Sequence, residues 1–247
     1  MKARAELVVA AALALLPTAA AAQGIAGRFS IAAQIGTQSE VAGDMLSSAT
    51  GTLERQVSID SQRYRDIYAP DLRLSGLLGF GVGDKTEVIA RVTYYKTEAV
   101  TGLEAGTMDG QPLYVYFPSQ EAPDSYEEVG FELGLRYYIS AQARLKSYVA
   151  PIVGVRFVNE ALVSFSAPAV GISVQNIPFS QEGTLPVFGL DIGFTFDLGE
   201  NAFVGIDTGL RYQPAPEGFD FLPGFTTIDD SQGRWSAPVV AMIGFRF

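Results

Sequence analysis

Apolar residues in this chain recur at every second position, in windows of about ten residues, over most of its length. A period of two is the period of a β-strand, whose successive side chains point to opposite faces. After the first two dozen residues no heptad, amphipathic helical stripe or long apolar run competes with it, although 48% of the chain is hydrophobic. Ten-residue segments with one apolar and one polar face are the repeated signature of membrane-crossing strands, which meet lipid on one side and line a lumen on the other.

Eight such segments follow in order. Residues 28–36 set Phe29, Ile31, Ala33 and Ile35 against Arg28, Ser30, Ala32 and Gln34. Residues 71–82 set Leu72, Leu74, Leu78, Phe80 and Val82 against Arg73, Ser75, Gly79 and Gly81, and residues 87–96 set Val88, Ala90, Val92 and Tyr94 against Glu87, Arg91, Thr93 and Tyr95. In 128–138, the cleanest of the set, Val129, Phe131, Leu133, Leu135 and Tyr137 oppose Gly130, Glu132, Gly134 and Arg136. Segment 145–157 carries Tyr148, Ala150, Gly154 and Arg156 on its polar face, and its Pro151 predicts a bulge or a skipped hydrogen bond rather than a missing strand. Segments 186–196 and 202–212 repeat the pattern with Asp191, then Asp207 and Arg211, on the polar side. The last, 234–247, aligns Trp235, Val239, Ile243, Phe245 and Phe247 against Pro238, Val240, Met242 and Arg246.

An even number of strands closes an antiparallel barrel with both termini on one side and no unpaired edge in lipid. The connections agree: short turns at 83–86, 140–144 and 197–201 alternate with long ones at roughly 37–70, 97–127, 158–185 and 213–233. Short turns at one end and long loops at the other are the outer-membrane pattern, with the turns in the periplasm. The predicted fold is all-β, an eight-stranded antiparallel up-and-down transmembrane barrel.

Residues 1–22 are expected to be an address rather than structure. Lys2 and Arg4 form a basic start, residues 7–16 an apolar run ended by Pro17, and Ala20, Ala21 and Ala22 a small-residue cleavage site before Gln23. That is the pattern of a Sec signal peptide. The run is too short to span a bilayer as a helix, and no cysteine follows it to carry a lipid anchor. The expected mature domain is 23–247, with four long extracellular loops.

Which face meets lipid is decided by composition. The polar face interleaves Gly, Ser and Ala with Arg73, Glu87, Arg91, Glu132, Arg136, Arg156, Asp191, Asp207 and Arg211. Small residues alternating with long charges suit the inside of an eight-stranded barrel, which is only wide enough to be filled by its own side chains. A solvent-facing strand has no such need of glycine. The apolar face gathers aromatics near both strand ends, Phe29, Phe80 and Tyr137 toward the turns and Tyr94, Phe157, Tyr212 and Trp235 toward the loops, as two interfacial girdles would.

These strands, and a last one ending Ile243-Gly244-Phe245-Arg246-Phe247, resemble the OmpA/OmpX-like family of small outer-membrane barrels. The resemblance covers the mature chain. It implies that Phe247, with Phe245 in support, is the signal read by the barrel-assembly machinery. Nothing in the sequence corresponds to the peptidoglycan-binding domain of some members, so no cell-wall tether is expected.

The chain has no cysteine and no histidine, which removes disulfides, thiol catalysis, Cys/His metal sites and every imidazole base. Barrel hydrolases and acyltransferases use histidine, so no enzyme is expected; a carboxylate-only site on acids such as Glu127, Glu128, Asp229 and Asp230 is the residual alternative. Net charge is −10, or about −11 once Lys2, Arg4 and Glu6 (net +1) are removed, against any nucleic-acid partner. Four acids facing five arginines predict ion pairs that plug the lumen, with a narrow solute channel as the alternative. No Lys or Arg lies between 97 and 128, where seven acids are scattered without calcium-loop spacing, so solvated surface is the expectation and no metal or cofactor is assigned. The apolar runs 113–117 and 219–225 are candidate partner-binding surfaces, or else extend the strands beyond the bilayer or pack loop against loop; the expected role is structural or surface-interactive and carried by the extracellular loops, with a lipid-modifying enzyme as a distant alternative. The expected partners are outer-membrane lipid and lipopolysaccharide and, during biogenesis, the assembly machinery; the protein is expected to be a monomer, with any extracellular partner unassigned.

Overall fold

The structure, a computed structural model, describes residues 25–53, 55–99, 102–117, 126–140, 144–216 and 232–247. The predicted signal peptide, Asp229, Asp230 and the run 219–225 lie outside the described residues. In chain order the elements are β1 (Phe29–Ala42), β2 (Asp44–Leu46), β3 (Ala49–Leu53), β4 (Arg55–Ile59), β5 (Gln62–Arg63) and the single helical turn α1 (Tyr64–Ile67). There follow β6 (Asp71–Gly83), β7 (Thr86–Thr97), β8 (Leu103–Met108), β9 (Gln111–Tyr116), β10 (Tyr126–Tyr138) and β11 (Leu145–Val158). Last come β12 (Ala161–Ala167), β13 (Ile172–Ser180), β14 (Gly183–Asp197), β15 (Ala202–Gln213) and β16 (Arg234–Arg246).

β1, β6, β7, β10, β11, β14, β15 and β16 form a closed barrel in which each pairs antiparallel with the next and β16 returns to β1. Six of them contain a predicted segment whole, and β1 and β16 match theirs except for Arg28 and Phe247 at the ends. β1 runs on past residue 36 to Ala42, because its pairing with β16 continues to Trp235 although Thr37 and Ser39 interrupt the apolar alternation of its outward face. Pro151 costs pairing but not register: β11 stays in step with β10 from Gly134↔Ile152 to Tyr137↔Val149 while the rungs between them are missing. The predicted defect is therefore a skipped bond, as a residue without an N–H requires.

Orientation is settled by burial. Leu133, Ile192 and Ile243 are 46, 54 and 56% exposed, whereas Arg136 and Asp191 are each 1% exposed. An apolar outside around an ionic inside reverses the soluble arrangement and fits a bilayer. Glycine makes the lumen possible where charges cross it. A side chain at Gly189 would stand 2.6 Å from the Arg211 Cδ, and one at Gly79 would overlap the Glu87 carboxylate and the Ser30 hydroxyl.

Three of the stretches expected as irregular loops are instead folded. The hairpins β3–β4, β8–β9 and β12–β13 assemble edge to edge into a six-stranded sheet of order β13-β12-β9-β8-β4-β3. The β8–β9 turn is Asp109-Gly110, with φ of 50° and 74°, the positive pair that a type I′ hairpin requires. One face of this sheet supplies Val57, Ile59, Met108, Leu113, Val115 and Val163 to an apolar core completed by Met45, Leu46, Ile67, Phe117 and Phe179. The run 113–117 thus packs loop against loop. Alternation within each hairpin is only a few residues long, too short to stand out from loop sequence, which is why this second sheet was not expected.

Candidate functional site

All nine lumen charges named from sequence are buried inside the barrel. Period-two alternation carries them there, as β10 shows by turning Glu128, Gly130, Glu132, Gly134, Arg136 and Tyr138 inward. Glu132 is the hub: Arg91 Nη1 donates at 2.9 Å, Arg73 Nη2 at 3.2 Å, Arg211 Nε at 3.3 Å and Arg156 Nη2 at 3.5 Å. Arg91 then reaches Asp191 at 3.0 Å and Asp207 at 2.9 Å, and Arg211 also binds Asp191. Burying these ions separately would be prohibitive, so each is held by several partners.

Toward the turn end Glu87 accepts from Arg136 at 3.0 Å and from the Tyr138 hydroxyl at 2.9 Å. Arg246 donates to that same hydroxyl at 3.2 Å and to Asp197 at 2.6 Å, while Lys146 also pairs with Asp197. The lumen carries an apolar layer as well, in which Leu77, Ile89, Ile152, Phe203 and Met242 pack with Tyr138 and Tyr148. The Arg136 guanidinium lies 4.3 Å from the centre of the Tyr148 ring.

Several participants were missed or misplaced by sequence reasoning. Glu128, read as a loop acid and a candidate carboxylate site, is 2% exposed on β10 and bonds Arg156 at 2.6 Å. It is the first residue of the predicted segment, and period two puts it on the same inward face as Gly130 and Glu132. At the loop end Arg234 pairs with Glu128 and, at 3.7 Å, with Glu40, and the Tyr64 and Tyr126 ring centres lie 5.6 and 5.4 Å from its guanidinium. This cluster joins the barrel to α1, a link that no local sequence pattern announces. Nearby Tyr68 is buried in the loop core beside Tyr126, and that burial pushes its hydroxyl well above the ordinary phenol range.

Of the girdle residues, Phe29, Phe80, Tyr137, Phe157 and Trp235 are exposed on the outer surface, and Tyr94 and Tyr212 are half-buried there. Cross-strand partners stack at each end, Phe29 with Phe80 at 4.7 Å and Tyr212 with Trp235 at 5.1 Å between ring centres. Phe245 is exposed on the lipid-facing side of β16. Phe247 exchanges backbone hydrogen bonds of 2.8 and 3.1 Å with Phe29, continuing the β1–β16 seam. Among the loop acids, Asp109 bonds Arg55 at 2.8 Å and Glu127 lies 3.7 Å from Lys96. Among the described residues no three metal-ligating side chains come together.

No family model and no curated protein matches the chain. Solved structures that it is similar to include the outer membrane protein OprG from Pseudomonas aeruginosa, at 15% identity and a TM-score of 0.47 over 92% of this chain and 99% of that one. Neisserial surface protein A is similar at 13% identity and a TM-score of 0.45, over 90% and 99%. The outer membrane protease OmpT from Escherichia coli is similar at 8% identity and a TM-score of 0.40, over 89% and 97%. With its closed ring of eight antiparallel strands, apolar outside and ionic within, the chain has the architecture of an eight-stranded transmembrane β-barrel.

Proposed function

We propose that this protein is a surface-exposed component of the bacterial outer membrane whose barrel is a closed anchor and whose folded loops are the working part. The observation that carries this reading is the six-stranded loop sheet with its own apolar core. A rigid platform of three interlocked hairpins suits display and contact. The filled lumen supports the same reading, since its ion pairs and apolar layer leave the barrel no need of other contents. No catalytic role is assigned to any residue.

Export through the Sec pathway with residues 1–22 removed, a monomeric state, contact with lipid and lipopolysaccharide, and recognition of Phe245 and Phe247 by the assembly machinery belong to the same proposal. Planar-bilayer recording of the purified protein is its test. A silent membrane is the expected result, and discrete, reproducible openings would reject it.

One observation favours a second reading, a narrow solute path. In the lumen, Asp207 Oδ1, Gln34 Oε1, the Tyr148 hydroxyl and Arg136 Nη2 are among the side-chain atoms buried without a hydrogen-bond partner. Unmatched polar atoms in a lumen are where solvent would be admitted. The same recording decides between the two.

A further inference from the structure

We propose that the outer face of the loop sheet binds a neutral oligosaccharide, with Tyr114 and Tyr116 as its stacking platform; this rests on the reading of the loops as the working part. Leu113 and Val115 are buried in the loop core, so alternation puts Tyr114 and Tyr116 on the opposite face, where both are half-exposed. They stand on β9, an inner strand of the sheet, flanked by β8 and β12. The register lays polar side chains beside them. Glu104, Tyr114 and Ser166 form one row across the sheet, and Ser58 and Thr107 are paired in the next.

The chemistry of this face is hydroxyl-rich and almost without charge. Hydroxyls both donate and accept, as sugar hydroxyls do, and one carboxylate at Glu104 adds a strong acceptor. Tyrosine presents a flat apolar ring beside a polar tip, suited to the C–H face of a pyranose ring. Loop segments 98–125 and 159–182 contain no Lys or Arg. The cation that the sheet does carry, Arg55, is committed to Asp109 at 2.8 Å. Phosphate, sulfate and nucleic-acid partners need arginine or lysine forks that this face lacks. Tyrosine also anchors protein interfaces, but there it sits in a desolvated centre, whereas these rows surround it with Glu104, Ser166, Ser58 and Thr107.

The test uses the full-length protein in lipid nanodiscs over immobilised maltohexaose, cellohexaose, chitohexaose and mannan fragments, beside heparin fragments and a sialylated oligosaccharide. Expected is binding to at least one neutral chain, insensitive to added salt. Tyr114→Ala and Tyr116→Ala should each weaken it by about tenfold or more, with Tyr→Phe at either site keeping most of the affinity. Heat-modifiable migration and protease resistance of the loops should be unchanged in all four variants. The proposal is overturned if no neutral chain binds, if heparin or the sialylated chain binds better, if binding survives the double Tyr→Ala change, or if this face captures a protein instead. Failure of the closed-anchor reading would register separately, as bilayer conductance.

Discussion

Arg211 grips the Glu132 carboxylate by two parallel hydrogen bonds, Nε to Oε1 and Nη2 to Oε2, each 3.3 Å long. The two residues stand on β15 and β10, which are separated in the barrel wall by β14 and β11, so the pair braces the cylinder across its lumen. Arg73, Arg91 and Arg156 share the same carboxylate. Glu132→Gln would leave four guanidinium groups with their common counter-charge gone, a loss of about 3–5 kcal/mol by the behaviour of broken buried pairs. Arg73→Gln should cost less, because three arginines still balance Glu132. Urea unfolding in lipid vesicles measures both; equal midpoints for Glu132→Gln and the unaltered protein would dismantle the idea of a central hub.

Tyr148 is the side chain on which closure of the lumen is expected to turn. Its ring supports the Arg136 guanidinium and meets Tyr138 edge-on at 5.6 Å, within the apolar layer. Tyr148→Ala removes that ring from the apolar layer that fills this part of the lumen. The variant is expected to give small discrete openings in planar bilayers where the unaltered protein gives none. If it is as silent as its parent, the seal lies elsewhere.

The barrel was legible in the sequence because lipid and lumen demand opposite chemistry on alternate residues over ten or more positions, a signal that Leu133 beside Glu132 and Ile192 beside Asp191 repeat. Interior charges were legible for the same reason. What escaped was whatever depends on distant strands meeting: Arg234 reaching Glu40 and Glu128, Arg246 reaching Asp197, and three hairpins sharing one sheet. The inward apolar layer was also hidden, because Leu77, Ile89 and Ile152 break the polar alternation and read locally as noise.

The outward face sets a further expectation. Ile192 and Leu133 project from the wall of the barrel near the middle of their strands. A charged residue at such a position costs about 2–4 kcal/mol in a bilayer. Ile192→Lys and Leu133→Arg should each lower folding stability in vesicles by that order, and neither change should matter if these residues faced water.

Phe247 can be separated from barrel stability. Its contribution to the seam is through backbone bonds to Phe29, which an alanine retains. Phe247→Ala should therefore fold into vesicles with nearly unchanged stability, yet reach the outer membrane of cells several-fold less efficiently. Equal cellular yields would remove the proposed role in assembly.

Arg234 is where barrel and loop sheet are fastened to one another. It is 4% exposed, bonds Gln213 at 3.0 Å, pairs with Glu40 and Glu128, and lies against Tyr64 of α1, whose ring belongs to the loop core. Arg234→Ala deletes two ion pairs and the cation that the aromatic rings surround, leaving both carboxylates buried. The Glu132 hub survives, because Arg156 still bonds Glu128 and Glu132. Damage should therefore concentrate in the loops, as expected when local and global stability are distinct. Proteolysis of intact membranes should cut the variant's loops at least several-fold faster while the barrel keeps its heat-modifiable migration. Equal loss of both would mean that the sheet and the barrel unfold as one unit, and no change in either would mean that Arg234 holds nothing in place.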